Sequence, residues 1–293
     1  MKIFFGHSDL LEFFNNTFPK VMCPQSWIFY GQKGLGKFTL IDNYIKLRNK
    51  ENYLKENNYY KFNSDEQPSS LDDIRKIINQ LSLTNNSKLN DKTYVIIDNA
   101  DQLNFYSHNA LLKTIEEPPQ NTLIILITHD LKKLPKTIIS RCINIKFNKL
   151  KKKEFDDFLK YYFPKRSNNL EQLYKLTRGA PGLLNEYLLN NGDELFNLTK
   201  QLLELEKLDI NIFNQLNDLA ISNYPNNVNL VVNIIIEFLK DKIFEDFKNN
   251  KNLFNLLIFF RKINDFFSDN LIIDKKKELH YVFTEYFNLK ISV

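Results

Sequence analysis

Three groups of residues in this chain are of the types and spacing that handle phosphate. The first is Gly31-Gln32-Lys33-Gly34-Leu35-Gly36-Lys37, a glycine-rich run ending in lysine at the spacing of a phosphate-binding loop. Its glycines let backbone N–H groups face an anion, and the N-terminus of a following helix adds a favourable dipole. Leu35 lies inside the run, and Lys37 would reach the outer phosphate oxygens. The second group is Asp98-Asn99, at the end of an apolar run, with Thr128 at the end of another. An acid there orients Mg²⁺ or its water, and a small polar residue at Thr128 senses the last phosphate or orients water. The third is Ser140-Arg141-Cys142. Its guanidinium could stabilise charge on a phosphate held by another chain.

What these groups lack is as informative. A hydroxyl directly after the loop lysine normally holds Mg²⁺. Here that residue is Phe38. Thr39 follows, but one residue turns a helix by about 100°, so Thr39 cannot simply take over. A glutamate normally follows the strand-end aspartate and polarises the attacking water. Asn99 stands there instead, and an amide cannot accept a proton at neutral pH. Asp101 lies two residues further on and is expected to point elsewhere. The chain keeps an arginine to lend and has lost groups needed to use a nucleotide itself.

With 293 residues there is room for two or three domains with real cores. The 43% hydrophobic and 26% charged content is that of an ordinary globular protein. A net charge of +5 permits a basic face near nucleic acid without requiring one. Lys132, Lys133 and Lys136, with Lys149 and Lys151 to Lys153, are the candidate cluster, against the plainer reading of solvated lysines. Two cysteines, Cys23 and Cys142, cannot build a disulfide framework or a four-ligand zinc site, so no zinc is expected. No secretory signal opens the chain, and runs such as Leu123 to Ile127 are far shorter than the ~20 residues of a membrane span. The expectation is a cytoplasmic protein with no membrane contact.

The elements that must position these groups follow from hydrophobic patterning. Short apolar runs at Trp27–Tyr30, Tyr59–Phe62, Tyr94–Ile97, Leu123–Ile127 and Ile143–Phe147 read as strands. Helices are expected at 38–46, 71–81 and 110–117, the last stopped by Pro118-Pro119. Strands apolar on both faces and alternating with helices indicate a parallel sheet. Beyond Asn148 only helices are legible, at 152–163, 170–176, 181–190, 230–247 and 253–267. The reading is α/β plus all-α: a P-loop domain over 1–148, a three-helix lid over 149–196 and a helical bundle over 197–293.

Asp98-Asn-Ala-Asp101, Asn109-Ala-Leu-Leu-Lys-Thr-Ile-Glu-Glu-Pro-Pro119, Leu126-Ile-Thr-His-Asp130 and Leu134-Pro-Lys-Thr-Ile-Ile-Ser-Arg-Cys142 together resemble the AAA+ clamp-loader subunits of bacterial DNA polymerase III. The motifs run from about Gln25 to Leu184; the C-terminal third is similar only in being helical and of suitable length. Within that family the resemblance divides between an ATP-hydrolysing γ/τ branch and a δ′ branch, a stator that usually does not hydrolyse ATP. Phe38, Asn99 and Gly182 favour δ′. Gly182, in Gly179-Ala-Pro-Gly182, stands where a γ-like chain would carry its sensor arginine. The cysteines of the family's zinc module are absent between the loop and Asp98.

The resemblance implies a degenerate site of Gly31, Gly34, Leu35, Gly36, Lys37, Thr39, Asp98 and Thr128 that binds ATP or ADP weakly. It implies no metal ligand set and an arginine finger, Arg141, acting in trans. Implied partners are γ/τ and δ subunits and, through the assembly, the sliding clamp and primed DNA. The bundle is then a collar holding the ring. The alternatives are a γ/τ-like motor and a stand-alone nucleic-acid-binding protein on the same scaffold.

Overall fold

The computed structural model describes residues 5–18, 25–48, 59–63, 71–83, 92–248, 254–268 and 275–291. Contacts divide the chain into two compact units: Met1–Asn168 with Gly179–Gly182, and Asn169–Arg178 with Leu183–Val293.

The first unit is built on five strands: β1 (Ser26–Tyr30), β2 (Tyr59–Asn63), β3 (Thr93–Asp98), β4 (Thr122–Thr128) and β5 (Ile143–Lys146). They lie in the order β2-β3-β4-β1-β5, every pair parallel. The run TLIILIT of β4 is buried throughout, as a central strand covered on both faces must be. β5 alternates in sequence but is largely exposed, because it forms the sheet edge.

Alternation along the strands sorts two different cores. Ile28, Val95, Ile97, Ile124 and Leu126 face one way, onto α3 (Leu71–Leu83), α4 (Phe105–Glu116) and α5 (Lys136–Ile139). Trp27 and Phe29 face the other, onto α1 (Ser8–Thr17) and α2 (Lys37–Arg48). That side is aromatic. Phe14 meets Phe29 edge-on at 5.3 Å and Tyr44 at 5.6 Å, and Phe18 meets Trp27 at 5.3 Å. Such pairs contribute roughly 0.5–1.5 kcal/mol each beyond burial.

The helix expected at 110–117 begins earlier, at Phe105. Asn104 Oδ1 accepts the Ser107 N–H at 2.8 Å, an N-cap that satisfies one orphan donor. α4 stops at Glu116 ahead of the two prolines.

Helix α6 (Lys152–Tyr162) belongs to the first unit, while α7 (Leu170–Leu176) belongs to the second. α8 (Pro181–Leu189) begins in the first unit with Pro181 and Gly182 and continues in the second. The second unit adds α9 (Gly192–Glu204), α10 (Ile210–Ser222), α11 (Asn226–Lys248), α12 (Phe254–Ser268) and α13 (Lys275–Ile291). Asp209 caps α10 through the Asn211 and Ile212 N–H groups. Tyr286 of α13 donates to Leu203 O at 2.9 Å, and its ring meets Phe259 at 5.5 Å, tying the bundle together. No helix among the described residues is long and apolar enough to cross a membrane.

Candidate nucleotide site and arginine

Parallel register brings the chemistry to one edge. Tyr30, the last residue before the loop, pairs with Thr128, and Asp98 ends the next strand, β3. Ligands of open α/β sheets bind at this carboxyl edge. The loop leaves β1 at Gly31, whose φ is +152°, and a Cβ there would come within 2.5 Å of Phe147 O. Any other residue would collide with backbone. A Cβ on Gly36 would meet nothing within 4 Å, so room for an anion remains at the start of α2.

Lys37 does not point its charge into that room. Its Nζ donates to Gly31 O at 2.6 Å and Gln32 O at 2.9 Å, and lies 3.1 Å from His129 Nδ1, which must accept. The three donors of the ammonium match these three acceptors. Lys37 is only 4% exposed. Burial pushes its pKa down to about 8, against the opposing pull of Asp98 and Asp101.

The other site residues are similarly engaged. Thr128 is buried, and its hydroxyl donates to Asp101 Oδ1 at 2.9 Å while accepting the Asp130 N–H at 3.1 Å. Asp101, expected to point elsewhere, therefore faces the strand-end cluster, and also lies 3.4 Å from the His129 N–H. Asn99, left-handed at φ +58° and 2% exposed, makes the turn that carries Asp101 there. Asp98 Oδ1 accepts the Asn99 N–H at 2.9 Å. Thr39 lies exposed on α2, apart from Lys37 on its helix. Phe38 is half-buried, its ring 5.8 Å from Lys61 Nζ. Lys61 and Lys46 pair with Asp42 at 2.6 and 2.7 Å, and Tyr59 also donates to it. Burial pushes the Asp42 carboxyl upward, but these three bonds win and hold it low.

Gly182 closes the loop from above. Its N–H donates to Gly34 O at 2.8 Å, and a Cβ on it would stand 2.7 Å from Gly34 Cα and 2.9 Å from Gly34 O. The absence of an arginine here is thus also a packing requirement. His7, which carried no sequence signal, hydrogen-bonds the loop backbone at Leu35 and sets its ring 5.0 Å from Phe147. Gly34 and Leu35 are therefore both tied by their backbone, and the Leu35 side chain is buried. The site offers space for an anion but no hydroxyl for Mg²⁺ beside Lys37. Among the described residues no cluster of His, Cys, Asp and Glu is suited to hold a metal.

Arg141 lies elsewhere, just beyond α5. Its Nη1 donates to Thr137 O at 3.1 Å, its Nη2 to Glu116 Oε1 at 3.4 Å, and its Nε is 3.2 Å from Glu116 Oε2. Cys142 beside it is half-buried, and burial pushes its thiol up to about 12, so it is no nucleophile at neutral pH. Cys23 lies outside the described residues. The lysines at 132, 133, 136, 149 and 151–153 are all exposed.

A parallel sheet with β4 between β1 and β3 and a glycine loop after β1 defines a P-loop unit of the AAA+ class. Residues 6–151 match the family described as DNA polymerase III, delta subunit. The gamma subunit of DNA polymerase III from Buchnera aphidicola subsp. Schizaphis graminum is 30% identical over 234 residues, 74% of this chain and 62% of that protein. The delta′ subunit of Bacillus subtilis is 43% identical over 68 residues, 23% of this chain and 21% of that one. The chain thus spans less than two thirds of either relative. A gamma subunit-related protein from Thermotoga maritima shares the fold, with a TM-score of 0.50 at 19% identity over 96% of this chain and 98% of that one. The chain belongs to the AAA+ clamp-loader subunits of DNA polymerase III.

Proposed function

We propose that this chain is a δ′-like stator of the clamp loader, which lends Arg141 to the nucleotide site of a neighbouring γ/τ subunit and turns over no ATP of its own. The observation that carries this reading is the state of Lys37. Its ammonium is satisfied by the loop's own carbonyls and His129 rather than aimed at the anion space. Phe38 and Asn99 support it, since neither can do the work of a magnesium ligand or a general base. ATP or ADP would be held weakly, without hydrolysis. A guanidinium on a neighbour's γ-phosphate is worth about 10³–10⁵ in rate, or roughly 4–7 kcal/mol. An exposed ion pair alone would contribute about 1 kcal/mol at most. Partners on this reading are γ/τ and δ subunits, with the sliding clamp and primed DNA reached through the assembly, in the cytoplasm. The segments 1–148, 149–196 and 197–293 would serve as P-loop domain, lid and collar.

The test is DNA-stimulated ATP hydrolysis by the reconstituted loader, with wild type and Arg141→Ala compared. The reading expects an inert isolated chain and a large loss in the variant complex with assembly intact. An unchanged complex would sink it. One observation favours a γ/τ-like motor instead: the 30% identity to a gamma subunit over 234 residues. That reading requires the isolated chain to release phosphate from ATP, and a Lys37→Met variant to stop doing so.

A further inference from the structure

We infer that Glu116, the first acid of Glu116-Glu117-Pro118-Pro119, is a positioning residue that orients the Arg141 guanidinium toward the neighbouring subunit. This rests on the trans-acting role proposed for Arg141. The two residues are 25 apart in sequence and meet through their anchors. Ile115 of α4 and Ile138 of α5 are both buried in the same core, which sets the end of α4 against the end of α5. Pro118 and Pro119 then keep α4 from running on past the contact.

The contact is shaped rather than merely close. Glu116 covers the Nε/Nη2 side of the guanidinium, and Thr137 O takes an N–H of Nη1. The guanidinium carries five N–H groups in a fixed plane. The bonds to Thr137 and Glu116 use one N–H on each Nη, so one N–H on each Nη is without an acceptor among the described residues. Two such N–H groups are what a grip on the oxygens of a phosphate requires. The carboxylate therefore fixes the plane of the fork while leaving an N–H on each Nη for a phosphate. The side chains of Arg141 and Glu116 are 36% and 57% exposed, so the pair lies at the surface of the isolated chain.

Local chemistry argues that Glu116 is not there for the helix. It is the last residue of α4, where the dipole favours a cation and opposes an anion. The acid opposes that local preference, and the contact that accounts for it is the one with Arg141.

The experiment uses the reconstituted loader with primed DNA and reads kcat and KM for ATP separately, with complex assembly checked by size-exclusion chromatography. Glu116→Ala should lower kcat about 10–100-fold with KM unchanged, as expected when a catalytic group is misaimed rather than lost. Glu116→Gln, which keeps an acceptor oxygen, should recover most of that loss and carries the test should the alanine variant fail to assemble. Glu116→Ala combined with Arg141→Ala should be no slower than Arg141→Ala alone. Turnover by Glu116→Ala within twofold of wild type or above it, no recovery in Glu116→Gln, or a double variant slower than Arg141→Ala, overturns the inference while an inactive Arg141→Ala complex leaves the trans reading standing. An Arg141→Ala complex as active as wild type removes both.

Discussion

Lys37→Met should change how stability depends on pH, and the sign follows from the burial of the ammonium. In the fold the pKa falls from 10.5 to about 8. Below about pH 8 both folded and unfolded chains hold the proton, and the fold carries the whole cost of burying the charge. Between about 8 and 10.5 the folded chain sheds the proton while the unfolded chain keeps it, so stability rises with pH through that window. At about 1.4 kcal/mol per unit, wild type should gain about 2 kcal/mol relative to Lys37→Met between about pH 7 and about pH 9.5. Methionine fills similar volume and does not titrate, so the shared effects of other lysines and tyrosines cancel in the difference. Urea unfolding of both proteins at four or five pH values, with midpoints converted through a common slope, measures it. Curves that stay parallel to within about 0.5 kcal/mol would show that Lys37 is solvated in the fold and is not closed in by Gly31, Gln32 and His129.

Gly182→Arg should not restore a sensor arginine: loss of the Gly34 hydrogen bond and overpacking together cost about 2–4 kcal/mol. Thermal melting should show this equally for Gly182→Ala, because the clash begins at Cβ. Phe38→Thr should leave the isolated chain without magnesium-dependent phosphate release, since Asn99 still cannot take a proton from water; release by the variant would place the defect at Phe38 alone. Thr128→Val should cost about 1–2 kcal/mol in denaturant unfolding, because the Asp130 N–H loses the hydroxyl it donates to and Asp101 loses one of its two donors.

The strands β1, β3 and β4 were legible because they are short apolar runs buried on both faces. Thr93–Asp98 and Thr122–Thr128 extend the expected runs only by a polar residue or two at their ends. Helix α1 was not legible. Its stripe of Leu10, Phe14 and Phe18 has helical spacing but spans little more than two turns, and only Phe14 is buried within the helix. The first turn of α4 was missed for a related reason: Phe105 and Tyr106 are exposed, and the signal there is the cap made by Asn104.

The candidate site divides in the same way. The loop glycines and Lys37 announce themselves by spacing. What Lys37 holds does not, because the direction of the Gly31 and Gln32 carbonyls is a property of backbone dihedrals and not of residue type. Asp101 looked misplaced by two residues until the left-handed Asn99 turned it toward Thr128. Gly182 reads as a missing arginine, and its close approach to Gly34 arises only in the fold, between segments nearly 150 residues apart.

The roles of Lys37 and Arg141 separate within the reconstituted loader. Two assemblies are prepared in which only this chain differs, carrying Lys37→Met in one and Arg141→Ala in the other, and DNA-stimulated ATP turnover is compared with wild type. A chain that lends an arginine and burns nothing itself predicts near-normal turnover with Lys37→Met and a loss of about 10³-fold or more from the site that Arg141 serves. The reverse pattern, with turnover lost in Lys37→Met and kept in Arg141→Ala, would make this chain a motor and contradict the account.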